Sequence, residues 1–155
     1  MVLATWNVNS VRARIGVVER WLRLSRPTVL CMQETKVQDD LFPSDVFEGL
    51  GYHLVLSGQR TWNGVAIASL VEPDDVATGL PNGFLGEQKR IVTATVSGFR
   101  VSCVYVPNGG EVGTDRFRDK LAFLEELVDM ADVEGADLPY VMAGDFNVAP
   151  GDDDV

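Results

Sequence analysis

Short apolar runs recur along the chain, and several of them close on a polar side chain. Val2-Leu3-Ala4-Thr5-Trp6 closes on Asn7, and Val29-Leu30-Cys31-Met32-Gln33 closes on Glu34. Val101-Ser102-Cys103-Val104 closes on Tyr105, and Pro139-Tyr140-Val141-Met142-Ala143 runs into Gly144-Asp145-Phe146-Asn147. Apolar runs of this length, bounded by turn formers, predict buried strands, here at about 2–8, 28–34, 53–57, 64–70, 90–97, 99–106 and 139–146. Val11, Ile15, Val18 and Leu22 keep helical spacing and predict a helix from about Ser10 to Ser25, with Ser10 as its N-cap. A second helix is predicted from about Thr114 to Glu134, with Phe117, Leu121, Leu124, Val128 and Ala131 on one face and Gly135 as its stop. A short helix is expected near Pro43–Leu50, and Ser97-Gly98 predicts a hairpin turn. The fold class is therefore α/β, a mixed β-sheet flanked by helices. Several strands are apolar on both faces, and two long helices cover only one of them, so an uncovered sheet face is expected.

Composition narrows the class without changing this picture. The chain has 155 residues, 46% hydrophobic and 23% charged, enough for one domain with a sizeable core. It shows no internal repeat, no apolar stretch of membrane-spanning length and no signal-peptide layout, so the expectation is no membrane and a cytoplasmic setting. Cys31 and Cys103 lie inside predicted strands without a CxxC pattern and read as buried free thiols. A net charge of −10 argues against DNA binding driven by overall charge. It leaves room for a nuclease, because clustered acids suit a divalent cation and a local basic rim still grips phosphates. Asp39-Asp40, Asp74-Asp75 and Asp152-Asp153-Asp154 read as solvated loops.

The strand ends carry the candidate chemistry, because α/β sheets hold their sites beyond the carboxyl ends of strands. Glu34 is a hard carboxylate of the kind Mg²⁺ takes, or a strand-end acid paired with Lys36 or a nearby Arg. Asp145 and Asn147 stand at i and i+2, a spacing that puts both on one side of an extended chain. One could then orient a water while the other holds a phosphate oxygen; an Asx turn is the alternative. Asn7 and Asn9 repeat the spacing, with Asn9 as a second candidate for capping the first helix. Tyr105 could donate to a phosphate, or be a satisfied core tyrosine. His53, the sole histidine, opens a strand far from these groups and reads as structural or surface, which removes Ser-His and Cys-His hydrolases. Walker and GxGxxG loops are absent.

In order along the chain stand Trp6-Asn7-Val8-Asn9-Ser10-Val11-Arg12-Ala13-Arg14, Gln33-Glu34-Thr35-Lys36, Trp62-Asn63-Gly64-Val65-Ala66, Arg90-Ile91, Tyr105-Val106-Pro107-Asn108 and Gly144-Asp145-Phe146-Asn147-Val148-Ala149-Pro150. This series resembles exodeoxyribonuclease III and related abasic-site endonucleases of the endonuclease/exonuclease/phosphatase superfamily. The resemblance implies the N-terminal half of a four-layer DNase I-like α/β sandwich. It implies Mg²⁺, with Mn²⁺ as an alternative, held chiefly by Glu34 with Asn7 beside it. Asp145 would orient or deprotonate the attacking water with support from Asn147, and Tyr105 would contact the scissile phosphate. Asn108 would hold a neighbouring phosphate, and Arg12, Lys36 and Arg90 are candidate phosphate or acid-network contacts. Trp62 would lie against the DNA groove as a wedge, or pack on the sheet as a rim aromatic. The implied partner is double-stranded DNA with abasic sites or 3′ ends.

The family pattern continues past Val155 with a further Asp/Asn pair and an Asp-His pair, for which this chain has no counterpart. Residues 1–155 are thus expected to be the N-terminal part of a single domain, poorly active alone and self-associating through the uncovered sheet face. A non-catalytic DNA- or partner-binding half-domain remains an alternative, as does a phosphatase or phosphodiesterase branch of the superfamily.

Overall fold

In the computed structural model of the chain, residues 1–151 and 153 are described. Strand β1 (Leu3–Asn7) leads through helix α1 (Val11–Ser25) to β2 (Val29–Gln33). A single 3-10 turn at Asp39–Leu41 and the short helix α2 (Ser44–Glu48) precede β3 (His53–Ser57), β4 (Val65–Ser69) and β5 (Asp74–Thr78). The hairpin β6 (Ile91–Val96) and β7 (Phe99–Tyr105) is followed by α3 (Asp115–Glu134) and β8 (Tyr140–Asp145). Ser10 caps α1 by accepting from the Ala13 amide. The hairpin turns on Ser97 (φ 51°) and Gly98 (φ 77°), the pair of positive φ angles that a tight two-residue turn requires.

The strands form two sheets, in the orders β1-β2-β4-β3 and β5-β6-β7-β8. Alternation along β2 explains their stacking. Val29 and Cys31 point between the sheets, where they meet Val92, Ala94, Val101 and Cys103. Leu30 and Met32 point outward, where Val11, Val18 and Leu22 of α1 cover them. On the far side, Phe123, Leu127 and Met130 of α3 cover Ile91, Val104 and Val106. The layers run helix, sheet, sheet, helix, an arrangement in which each sheet closes the other's inner face.

Among the described residues, the uncovered sheet face expected from the sequence is therefore not found, although the edge strands β1 and β8 stay partly exposed. Each sheet instead covers the other, because a strand apolar on both sides reads alike whether a helix or a second sheet packs on it. Two further expectations are corrected. Asp74 and Asp75 are exposed, but they open β5, a strand whose residues are all solvent-facing. The buried face of α3 is rotated from the predicted stripe: Leu121 (45% exposed) and Val128 (64%) face outward. Asp39 lies in the 3-10 turn and accepts from the Gly58 amide at 2.7 Å. Asp153 is exposed, while Asp152 and Asp154 of the predicted acidic loop lie outside the described residues. Among the described residues no helix is long and apolar enough to cross a membrane.

Two crossovers position the site. β1-α1-β2 and β7-α3-β8 each link parallel strands, which therefore end on the same rim. Asn7 lies opposite Gln33, one residue before Glu34, and Tyr105 lies opposite Asp145. Gly144 keeps this second pair in contact, since a Cβ there would overlap the Val104 carbonyl. Gly144→Ala is expected to cost about 3 kcal/mol or more, because the clash is with the backbone of the paired, buried strand β7. A urea unfolding midpoint equal to that of the parent chain would refute this.

Candidate active site

The rim gathers side chains from three strand ends around the Asn7 amide. Asn7 Nδ2 donates to Glu34 Oε1 at 2.7 Å and to Asp145 Oδ2 at 2.8 Å, so one NH₂ group bridges two carboxylates. Asn7 Oδ1 accepts from the Asn9 amide at 3.0 Å, and Asp145 Oδ1 accepts from the Asn147 amide at 2.9 Å. Both are Asx turns, and in both the second residue is left-handed: Asn9 at φ 42° and Asn147 at φ 50°. The i, i+2 pairs thus do not project side by side from an extended chain, because the strand has already ended. The first residue of each pair enters the cluster and the second turns the chain away.

Glu34 follows a fully buried strand and is itself left-handed (φ 54°), as is Lys36 (φ 53°). Backbone bonds from neighbouring loops hold this strained turn: Ser10 N to Glu34 O at 2.7 Å, Thr35 N to Gly64 O at 3.0 Å and Lys36 N to Asn63 O at 3.0 Å. Gly64 (φ +84°) is required there, since a Cβ would overlap Thr35 Oγ1. Beneath Glu34, the buried Gln33 side chain donates to Thr5 Oγ1 at 3.1 Å and Cys103 Sγ at 3.2 Å, tying β1, β2 and β7 together. Cys31 and Cys103 are free and buried, and the Cys31 thiol is held well above its usual range by its bond with Cys103 and by burial.

Burial alone would raise the Glu34 carboxyl. Hydrogen bonds from Lys36, Asn7 and Tyr105, with the Lys36 charge, outweigh it and hold the group below its ordinary value. Lys36 Nζ lies 2.8 Å from Glu34 Oε2 and donates to Asn9 Oδ1 at 2.5 Å. Asn9 is thus the partner of Lys36, while Ser10 caps α1. Tyr105 is pushed up to about 12 by burial and by the Glu34 charge, so its hydroxyl keeps its proton and donates to Glu34. Arg90 sits 4.8 Å over the Tyr105 ring and donates to Tyr105 O at 3.1 Å. Its guanidinium holds the tyrosine, and burial lowers its pKa.

A depressed Glu34 pKa has a stability consequence. The folded state favours the carboxylate, so this contribution is present above the unfolded value, roughly pH 4.3, and is lost as pH falls through the folded value. In EDTA, acid unfolding of Lys36→Met should begin at higher pH than in the parent chain. Superimposable acid transitions would show that Lys36 does not stabilise the charged carboxylate.

Among the described residues no group of three or more His, Cys, Asp or Glu is placed to hold a metal ion. The donor set at the Asn7 bridge is the two carboxylates of Glu34 and Asp145, which the Asn7 NH₂ group orients. That fits Mg²⁺, which takes one or two protein carboxylates and completes its shell with water and phosphate.

Basic clefts flank the cluster despite the acidic total. Arg12, Lys36 and Arg60 line one of about 550 Å³, with no acid among its lining residues. Arg90, Arg116 and Asn108 line part of another, of about 210 Å³, together with one acid, Asp119. Trp62 is 67% exposed, which removes the reading of a rim aromatic packed on the sheet. Asn108 Nδ2 donates to Asn147 Oδ1 at 3.2 Å, joining Asn108 to the Asp145 turn. His53 is exposed on β3, apart from all of this. Sequence reasoning missed Arg60, a lone basic residue in a loop, as part of this cleft.

Comparison with known proteins places this arrangement. Residues 4–155 match the Endonuclease/Exonuclease/phosphatase family. Exodeoxyribonuclease III of Haemophilus influenzae is 32% identical over 161 residues, which cover 100% of this chain and 60% of that protein. Recombination repair protein 1 of Drosophila melanogaster is 33% identical over 165 residues, covering 95% of this chain and 22% of that protein. The structure of the 3′ phosphatase NExo from Neisseria bound to product DNA hairpin superposes with a TM-score of 0.94 at 40% identity, covering 98% of this chain and 60% of that one. An AP endonuclease from Archaeoglobus fulgidus superposes with a TM-score of 0.91 at 41% identity, with the same two coverages of 98% and 60%. The chain thus spans 60% of the length of the Haemophilus relative and of both solved chains.

Proposed function

The chain belongs to the endonuclease/exonuclease/phosphatase family, and from that premise we propose that it carries the water-orienting and metal-holding part of a DNA-repair nuclease. The reaction is hydrolysis of a phosphodiester, with incision 5′ to an abasic site and 3′→5′ removal of nucleotides as the two presentations of one chemistry. The observation that carries this reading is the Asn7 amide held between Glu34 and Asp145. It holds two carboxylates close together on a rim flanked by clefts lined with basic side chains. Relatives named for exodeoxyribonuclease III and AP endonuclease support the substrate class.

Glu34, with Asn7 and Asp145 beside it, would hold Mg²⁺, which when bound supplies neutralisation of the charge that develops on phosphate oxygens. The protein's own groups do the rest. Both Asp145 oxygens receive a hydrogen bond, from Asn7 Nδ2 and from the Asn147 amide, so the carboxylate plane is fixed while each oxygen keeps a lone pair. That carboxylate orients the attacking water and accepts its proton. Tyr105 retains its proton and can redirect it from Glu34 to a phosphate oxygen, with Arg90 holding the ring. Arg12, Arg60 and Lys36 grip the backbone on one side and Asn108 on the other, while Trp62 is free to meet the groove. Removal of a 3′ phosphate from DNA ends, a monoester, is a third presentation, favoured by the likeness to the Neisseria 3′ phosphatase.

Fluorescence anisotropy with an abasic duplex tests the substrate class without requiring turnover. Binding should weaken steeply with salt, survive competition by inositol hexakisphosphate, and fall in the double variant Arg12→Glu/Arg60→Glu. Displacement of DNA by the inositol phosphate, or unchanged binding by the variant, would move the chain to another branch of the family.

A further inference from the structure

Asn147 is held at every polar atom. Its amide donates to Asp145 Oδ1 at 2.9 Å, its Nδ2 to Val106 O at 2.9 Å, and its Oδ1 accepts from Asn108 at 3.2 Å. Those partners belong to the rim itself. The fourth does not: Lys120, on α3, donates from Nζ to Asn147 O at 2.5 Å. Lys120 is half-buried, and among the described residues no carboxylate lies within ion-pair distance of it. It reaches the turn by lying across Gly109, where a Cβ would come within 2.7 Å of Lys120 Cδ and where φ is +74°. Backbone conformation demands glycine at that crossing, and a Cβ there would press on the lysine side chain. Drawing a cation partly out of water onto a single carbonyl is costly. A leucine would serve the inner face of α3 better, so packing does not account for a lysine.

We propose that Lys120 is a positioning residue. It pins the Asn147 carbonyl, fixes the Asp145–Asn147 turn, and thereby aims the Asp145 carboxylate and the Asn147 side chain without touching substrate. Its catalytic consequence rests on the phosphodiesterase reading above; its geometric part does not.

The test compares the parent chain with Lys120→Met, Lys120→Arg and Gly109→Ala. Amide hydrogen exchange at Asn147 is followed by NMR, and incision of an abasic duplex is followed under steady-state conditions. Exchange at Asn147 should quicken about tenfold in Lys120→Met and in Gly109→Ala, which displaces the lysine while keeping its charge, and should slow again in Lys120→Arg. Incision by Lys120→Met should lose about a hundredfold in kcat with KM unchanged, the signature of a misplaced group, and recover in part in Lys120→Arg. Unchanged Asn147 exchange in Lys120→Met would overturn the proposal, as would a rise in KM at constant kcat, which marks a direct DNA contact. A parent chain that cleaves no DNA, yet whose Asn147 responds as described, would sink the nuclease reading and leave the positioning role standing.

Discussion

Asn7→Asp should lower the melting temperature of the metal-free chain by about 5–10 °C, and Mg²⁺ or Mn²⁺ should restore most of the loss. The substitution exchanges an amide that donates to two carboxylates for a third carboxylate between them. Two charge-assisted hydrogen bonds vanish and like charges crowd one rim. Even after one group takes up a proton to relieve the repulsion, a cost of roughly 2–3 kcal/mol remains. In a chain of this size that is several degrees of melting temperature. A divalent cation offsets most of this cost, because its charge neutralises the repulsion among the three carboxylates. Scanning calorimetry with EDTA and with Mn²⁺ reads both halves. A melting temperature indifferent to the substitution would mean that Asn7 does not bridge charged groups, and the site would lose its centre.

Glu34→Gln should abolish stabilisation by divalent ions. A ligand at a hundred times its dissociation constant raises the stability of the protein that binds it by about 2.7 kcal/mol. The parent chain should gain on that order with Mn²⁺, and the variant nothing. Glutamine keeps the shape and can still accept from Asn7 and Lys36, so the variant isolates charge from geometry. It also removes the ionic partner of Lys36, whose Nζ lies 2.8 Å from Glu34 Oε2. The metal-free variant should therefore be slightly less stable than its parent, an effect separable from the lost metal response. Equal stabilisation of both proteins by Mn²⁺ would place the ion elsewhere.

How far the residues announced this site differs from place to place. β2 and β4 are buried at every position, and their apolar runs mark them without ambiguity. β5 carries no such mark: it is an exposed edge strand that opens on two aspartates and is bulged between Asp74 and Ala77. α3 offers apolar residues on two faces, and only contact with Ile91 and Val104 selects Phe123, Leu127 and Met130 over Leu121 and Val128. Asn7, Glu34, Tyr105 and Asp145 were recognisable because each ends, or directly follows, a strand, and parallel pairing brings such ends to one rim. Their coupling was not recognisable, since the left-handed turn at Glu34 depends on loops distant in sequence. The closure of one sheet by the other was hidden for a related reason: alternation specifies that a face is buried, not by what.

The most direct test of the central claim is incision of a labelled duplex carrying one abasic site, with Mg²⁺ and with EDTA, by the parent chain and by Asp145→Asn. The account predicts slow cutting 5′ to the abasic site that needs the metal and disappears in a folded Asp145→Asn protein. Cutting that persists in EDTA or in the variant, or none at all from a folded chain that binds both metal and duplex, would contradict it.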